Sequence, residues 1–117
     1  MSLSEFYSSL GESLEEVLGR LGMESRIIKY LGLFMSDPSF NELKEAFANN
    51  DAKTAFRAAH TLKGVAANLG LNTLSKSSSE LTEDLRPLAF TDNSKALLEK
   101  VELDYTVAVE GIKQLEQ

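Results

Sequence analysis

Residues 51–70 read DAKTAFRAAHTLKGVAANLG, and this run decides the fold. Ala52, Ala55, Ala59, Leu62, Ala66 and Leu69 recur at spacings of three and four, the period of a helix that buries one stripe. The spacing predicts a helix from about Asp51 to Leu69, with a seam of mostly small residues that lets a neighbouring helix come close. Asn49-Asn50-Asp51 is a polar cluster suited to ending one helix and capping the next. At the other end Gly70 suits the left-handed residue that closes a helix, and Asn72 suits the cap of the helix that follows. So short a connection makes the two helices antiparallel.

Outward from this run, Leu74, Ser78, Leu81, Leu85 and Leu88 form the stripe of the following helix. Arg86-Pro87 and Thr91-Asp92-Asn93 bracket a second turn, after which Leu98, Val101, Tyr105, Ala108, Ile112 and Leu115 keep heptad spacing. Towards the N-terminus, Leu43, Ala46 and Phe47 make an apolar face, and Ile27, Leu31 and Phe34 lead to Asp37-Pro38. The proline there predicts a kink or restart. Leu3, Tyr7, Leu10, Leu14, Val17 and Leu21 share one stripe, which Gly11 and Gly19 weaken, so one broken or two short helices are expected. Alternating β-branched runs are missing. The expected fold is all-α: an antiparallel up-down four-helix bundle with an additional short N-terminal helical segment. A single domain over 1–117 is expected, with the N-terminal segment at 1–22 and the bundle core at about 24–117.

Composition narrows the function. The chain has 117 residues, 43% of them hydrophobic and 26% charged, which are globular proportions. A net charge of −6 disfavours nucleic acid, whose backbone is bound by basic surfaces. No basic amphipathic stretch suits an anionic membrane, and no apolar run approaches the roughly 20 residues that span a bilayer. A cytoplasmic location and a monomer are expected. Cysteine is absent, which removes disulfides, thiol catalysis and cysteine metal sites. With one histidine and no convergent set of ligands, no metal site is assigned to the chain.

His60 follows the seam residue Ala59, so the helix turns it about 100° away from the core, onto the flank of the bundle. Phe56, Arg57, Lys63, Gly64 and Ala67 stand three, four and seven positions away and share its face. A neutral imidazole has an unshared pair on one ring nitrogen and acts as a nucleophile towards phosphorus. Arg57 and Lys63, one turn to either side, would steady a phosphoryl group or attract an acidic partner pocket, and Lys53 adds to this basic patch on an acidic protein. Gly64 costs a helix roughly 1 kcal/mol against alanine, a residue this helix otherwise uses freely. A bare backbone beside the imidazole would leave a flat depression suited to another protein. Phe56 reads as the edge of the core, Ser77-Ser78-Ser79 as a small packing surface, and Glu15-Glu16 and Glu83-Asp84 as solvated faces.

The run His60-Thr61-Leu62-Lys63-Gly64-Val65-Ala66-Ala67-Asn68-Leu69-Gly70 resembles the signature of histidine-containing phosphotransfer domains, with histidine, leucine, lysine and glycine at the family's spacings. Arg57-Ala58-Ala59 is similar to the family's approach to its histidine, and the resemblance extends over nearly the whole chain. It implies that His60 is phosphorylated on a ring nitrogen, that Lys63 assists electrostatically and that Gly64 gives a receiver domain access. Some relatives carry a glutamine on the next helix that hydrogen-bonds the histidine. Thr82 takes that position here, and its hydroxyl or that of Ser79 is the expected substitute. Val65, after the glycine, is bulkier than is usual in the family.

The resemblance implies a carrier in a two-component phosphorelay, with the receiver domains of response regulators or hybrid sensor histidine kinases as partners. Without a glycine-rich nucleotide loop or an ATP-binding domain the chain needs a phosphoryl donor, and it reads as a phosphotransfer intermediate, not an enzyme. The resemblance also assigns magnesium to the receiver, leaving no cofactor in this chain. The alternative, from another class, is a helical adaptor that binds a receiver or kinase through the same face without accepting phosphate.

Overall fold

Side-chain caps at Ser2 and Asp51 set two of the helix starts. The computed structural model describes residues 1–115, so the last two positions of the domain expected to end at 117 lie outside it. The described residues form seven helices: α1 (Leu3–Ser9), α2 (Leu14–Leu21), α3 (Glu24–Phe34), α4 (Ser39–Ala48), α5 (Ala52–Asn68), α6 (Asn72–Leu85) and α7 (Ser94–Lys113). Ser2 and Glu5 open α1 with a reciprocal capping box. The chain breaks between α1 and α2 around Gly11, giving two short helices, one of the two forms expected, while Gly19 is accommodated inside α2. The restart at Pro38 is also present. The Asp37 carboxylate accepts the Ser39 N–H at 2.8 Å as α4 begins. At the start of α5, Asp51 accepts the Thr54 N–H at 3.1 Å and the Thr54 hydroxyl at 2.6 Å. These bonds hold its carboxyl below the ordinary carboxylate range.

Two local expectations need correction. Asn72 is the first residue of α6 and not its cap; Leu71 stands at the cap, without a side-chain bond. The Asn72 amide instead donates to Glu12 Oε2 at 2.6 Å, because the N-terminal segment lies beside it and offers a charged acceptor. Leu88 does not continue the stripe of α6. The helix ends at Leu85, just before Arg86-Pro87, and Leu88 takes a left-handed conformation (φ 61°) with about half its surface exposed. Proline cannot extend the hydrogen-bond ladder, so the seam stops one turn early.

α5 lies between α4 and α6, and α6 packs in turn on α7. The buried seam of α5 is Ala55, Ala58, Ala59, Leu62 and Ala66. α7 returns to the earlier helices through Tyr105, which stacks on Phe40 at 4.2 Å and meets Phe34 at 5.6 Å, and through Glu102, paired with Lys44 at 2.8 Å. One hydrophobic cluster runs from Leu3 to Ile112. Asp84, expected on a solvated face, accepts the hydroxyls of Thr91 (2.6 Å) and Ser94 (2.5 Å) and so anchors the entry to α7. No helix among the described residues is long and apolar enough to cross a membrane.

The N-terminal helices hold the C-terminal end of α5, whose last carbonyls have no partner within the helix. Tyr7, fully buried, donates its hydroxyl to the Leu69 carbonyl at 2.6 Å, and burial pushes its phenol pKa up, so the donor proton is retained. Arg20 donates to the Ala67 carbonyl at 3.1 Å. Gly70, at φ 72°, turns the chain where a Cβ would lie 2.3 Å from Val17 Cγ2. Gly70→Ala therefore combines left-handed strain with a clash. Urea denaturation should show a loss of about 2 kcal/mol or more.

Candidate functional site

The seam of α5 aims one side of the helix at α4 and α6 and leaves the opposite flank open. Arg57, His60, Gly64 and Ala67 are exposed on that flank, and Phe56 and Lys63 are half-buried at its edges. The structure thus brings together on one face every α5 residue singled out from the sequence. The His60 imidazole makes no hydrogen bond within the described residues; its ring contact is a near-parallel stack on Phe56, with centroids 6.3 Å apart and planes at 20°. Its nitrogens are therefore free of internal partners, and its ring is steadied by an aromatic surface one turn earlier.

Two cross-links fix the antiparallel register of α5 and α6. The Ser75 hydroxyl donates to the Lys63 carbonyl at 3.1 Å, and the Arg86 guanidinium lies 5.4 Å from the Phe56 ring centroid. His60 stands between these rungs. Thr82 is fully buried and donates its hydroxyl to the Ser78 carbonyl of its own helix at 2.7 Å. Its proton is thus committed to its own helix, and no hydrogen bond joins it to His60 among the described residues. Ser79 is half-buried and has no hydrogen bond of its own among the described residues.

Sequence reasoning missed Glu83 and Arg86. The Glu83 carboxylate accepts two bonds from Arg86, Nε to Oε1 at 3.2 Å and Nη2 to Oε2 at 2.5 Å. The Arg86 pair, and then the nearby charges of Lys63 and His60, hold Glu83 below the ordinary carboxylate range. Glu83 is exposed, as expected, but it is tied to Arg86 and lies within electrostatic reach of Lys63 and His60. The signal available was the three-residue spacing from Glu83 to Arg86, an acid and a base about one turn apart at the end of α6.

Gly64 answers a specific question. A Cβ built on it meets nothing within 4 Å, so no packing among the described residues calls for glycine. Beside it, Tyr30, Leu33, Phe34 and Asp37 face Val65, Asn68 and Leu69 across an open groove of about 190 Å³. The bulkier Val65 forms a wall of this groove and leaves the face around Gly64 clear. Gly64→Ala should raise stability by about 1 kcal/mol in chemical denaturation, the helix-propensity difference with no clash to offset it.

Comparison with curated proteins and with solved structures gives no match. A family model, the Hpt domain, matches residues 33–116, a span that takes in α4 to α7 and the whole histidine-bearing face. By that match, over most of its length, the chain belongs to the Hpt domain family, whose members act in phosphotransfer in two-component phosphorelays.

Proposed function

We propose that His60 is the phosphoacceptor of a phosphorelay carrier, loaded from a receiver-domain phosphoaspartate and unloaded onto an aspartate of another receiver. The observation that carries this reading is Gly64: a destabilising glycine one turn beyond the single histidine, facing open space. Nothing among the described residues needs it, whereas a protein pressing its own active site against His60 does. The adjoining groove supports the same reading, since Leu33 is 56% and Tyr30 37% exposed and offer an apolar margin to a docking helix.

In the loading step the unprotonated ring nitrogen of His60 attacks the phosphorus of the acyl phosphate in line. The N–P bond forms as the acyl P–O bond breaks, the receiver's aspartate leaves as a carboxylate, and the proton on the other ring nitrogen stays on the imidazole. Unloading reverses the roles, with a second receiver's carboxylate as nucleophile and the imidazole as leaving group. Lys63 offsets phosphoryl charge, while Arg57 and Lys53 attract an acidic receiver pocket to a basic patch. Gly64 and Ala67 provide the clearance, and Phe56 steadies the ring. Thr82 shapes the interior beneath the site. Magnesium belongs to the receiver. In this reading the chain is a monomeric cytoplasmic carrier with no kinase activity, metal or other cofactor of its own.

Incubation with a phosphorylated receiver should place acid-labile label on the wild type and none on His60→Gln. Lys63→Ala should slow transfer about tenfold, the scale of one charge-assisted contact. Gly64→Gln should block transfer while the protein stays folded. Receivers that bind the wild type tightly but leave it unlabelled would make the adaptor reading the better one.

A further inference from the structure

Arg86 has no part in the roles given to His60, Lys63 and Gly64, yet it is tied to the same site by two contacts. Its guanidinium packs over Phe56, the ring on which His60 also stacks. Its fork of donors is engaged by both oxygens of Glu83. The pair lies on the surface, with side chains 56% and 59% exposed, and ion pairs so exposed contribute little to stability. Holding the fold is therefore a poor explanation of it. The geometry suits another task, because a guanidinium fork that fits a carboxylate also fits the oxygens of a phosphoryl group.

We propose that Arg86 is a phosphoryl-binding residue of the phosphohistidine, with Glu83 as its partner at rest: when His60 is loaded, the guanidinium passes from the Glu83 carboxylate to the phosphoryl oxygens. The inference rests on the assignment of His60 as acceptor. The Phe56 ring, which both side chains contact, keeps the guanidinium at the site in both states, and rotation about the flexible arginine stem supplies the exchange. A phosphoryl group carries more charge than a carboxylate, so it competes for the arginine once it arrives. Glu83 weakens that hold by competing in turn, which keeps the phosphohistidine from being too stable to pass its group on. The pair thus tunes the balance between phosphohistidine and phosphoaspartate, while Lys63 contributes from α5.

The test is the lifetime of the phosphohistidine, together with its equilibrium against a phosphorylated receiver, in wild type, Arg86→Ala, Arg86→Lys, Glu83→Gln and the Arg86→Ala/Glu83→Gln double variant. Arg86→Ala should shorten the lifetime about fivefold and shift the equilibrium towards the receiver, and Arg86→Lys should recover part of both. Glu83→Gln should lengthen the lifetime and shift the equilibrium the other way, and it should do neither once Arg86 is gone, a coupling that loss of a structural contact does not produce. Wild-type lifetimes and equilibria in Arg86→Ala, or a Glu83→Gln effect that persists without Arg86, would overturn the exchange and leave His60 as acceptor. A wild type that takes no label at all would overturn both assignments.

Discussion

The alanine seam of α5 is the constraint on which the rest depends. Ala55, Ala58, Ala59 and Ala66 are buried with Leu62 between α4 and α6, and their small side chains let three helix backbones run close together. Close packing fixes the rotation of α5 about its own axis, because the seam cannot turn outward without exposing the core. His60 is carried on that rotation. One position after the seam, it is held at the flank without a side-chain hydrogen bond among the described residues, and its orientation comes from the helix and from the Phe56 ring. A reactive side chain positioned in this way stays open to a partner while its backbone is rigid.

The two ends of α5 are secured differently, and both arrangements serve the same rigidity. At its start Asp51 satisfies helix N–H groups from within the local sequence. At its end the orphan carbonyls are met from far along the chain, by Tyr7 and Arg20. The N-terminal helices are therefore part of the support of the histidine-bearing helix, and through Arg20 they reach the backbone of the site residue Ala67. Gly70 is the price of this arrangement, since the chain must reverse within van der Waals contact of Val17.

Electrostatics divides the surface into a background and a site. The chain carries −6 overall, yet Arg57, His60 and Lys63 stand together on α5, with Arg86 reaching over from α6. Glu83 lies near this group, and its charge is already engaged by Arg86. The face around the imidazole thus holds positive charge with an internal competitor, an arrangement in which an arriving anion has cations to meet and a carboxylate to displace.

Much of this was legible in the sequence. The three-and-four spacing of alanine and leucine determined the all-α class and the extent of α5, and the same register placed His60, Lys63 and Gly64 on one flank. Asp51 and Gly70 marked the ends of α5 because capping and left-handed turns depend on a few residue types. Tertiary structure alone decided what depends on contacts between elements: that Asn72 serves Glu12 and not its own helix, and that Asp84 anchors α7. Gly64 shows the division most clearly. Sequence could say that a glycine in mid-helix is costly, but only the space around its Cα shows that no neighbour among the described residues requires it. The joining of Arg86 to His60 through Phe56 belongs to the same class, since it is created by the register of two antiparallel helices, which periodicity within either helix does not specify.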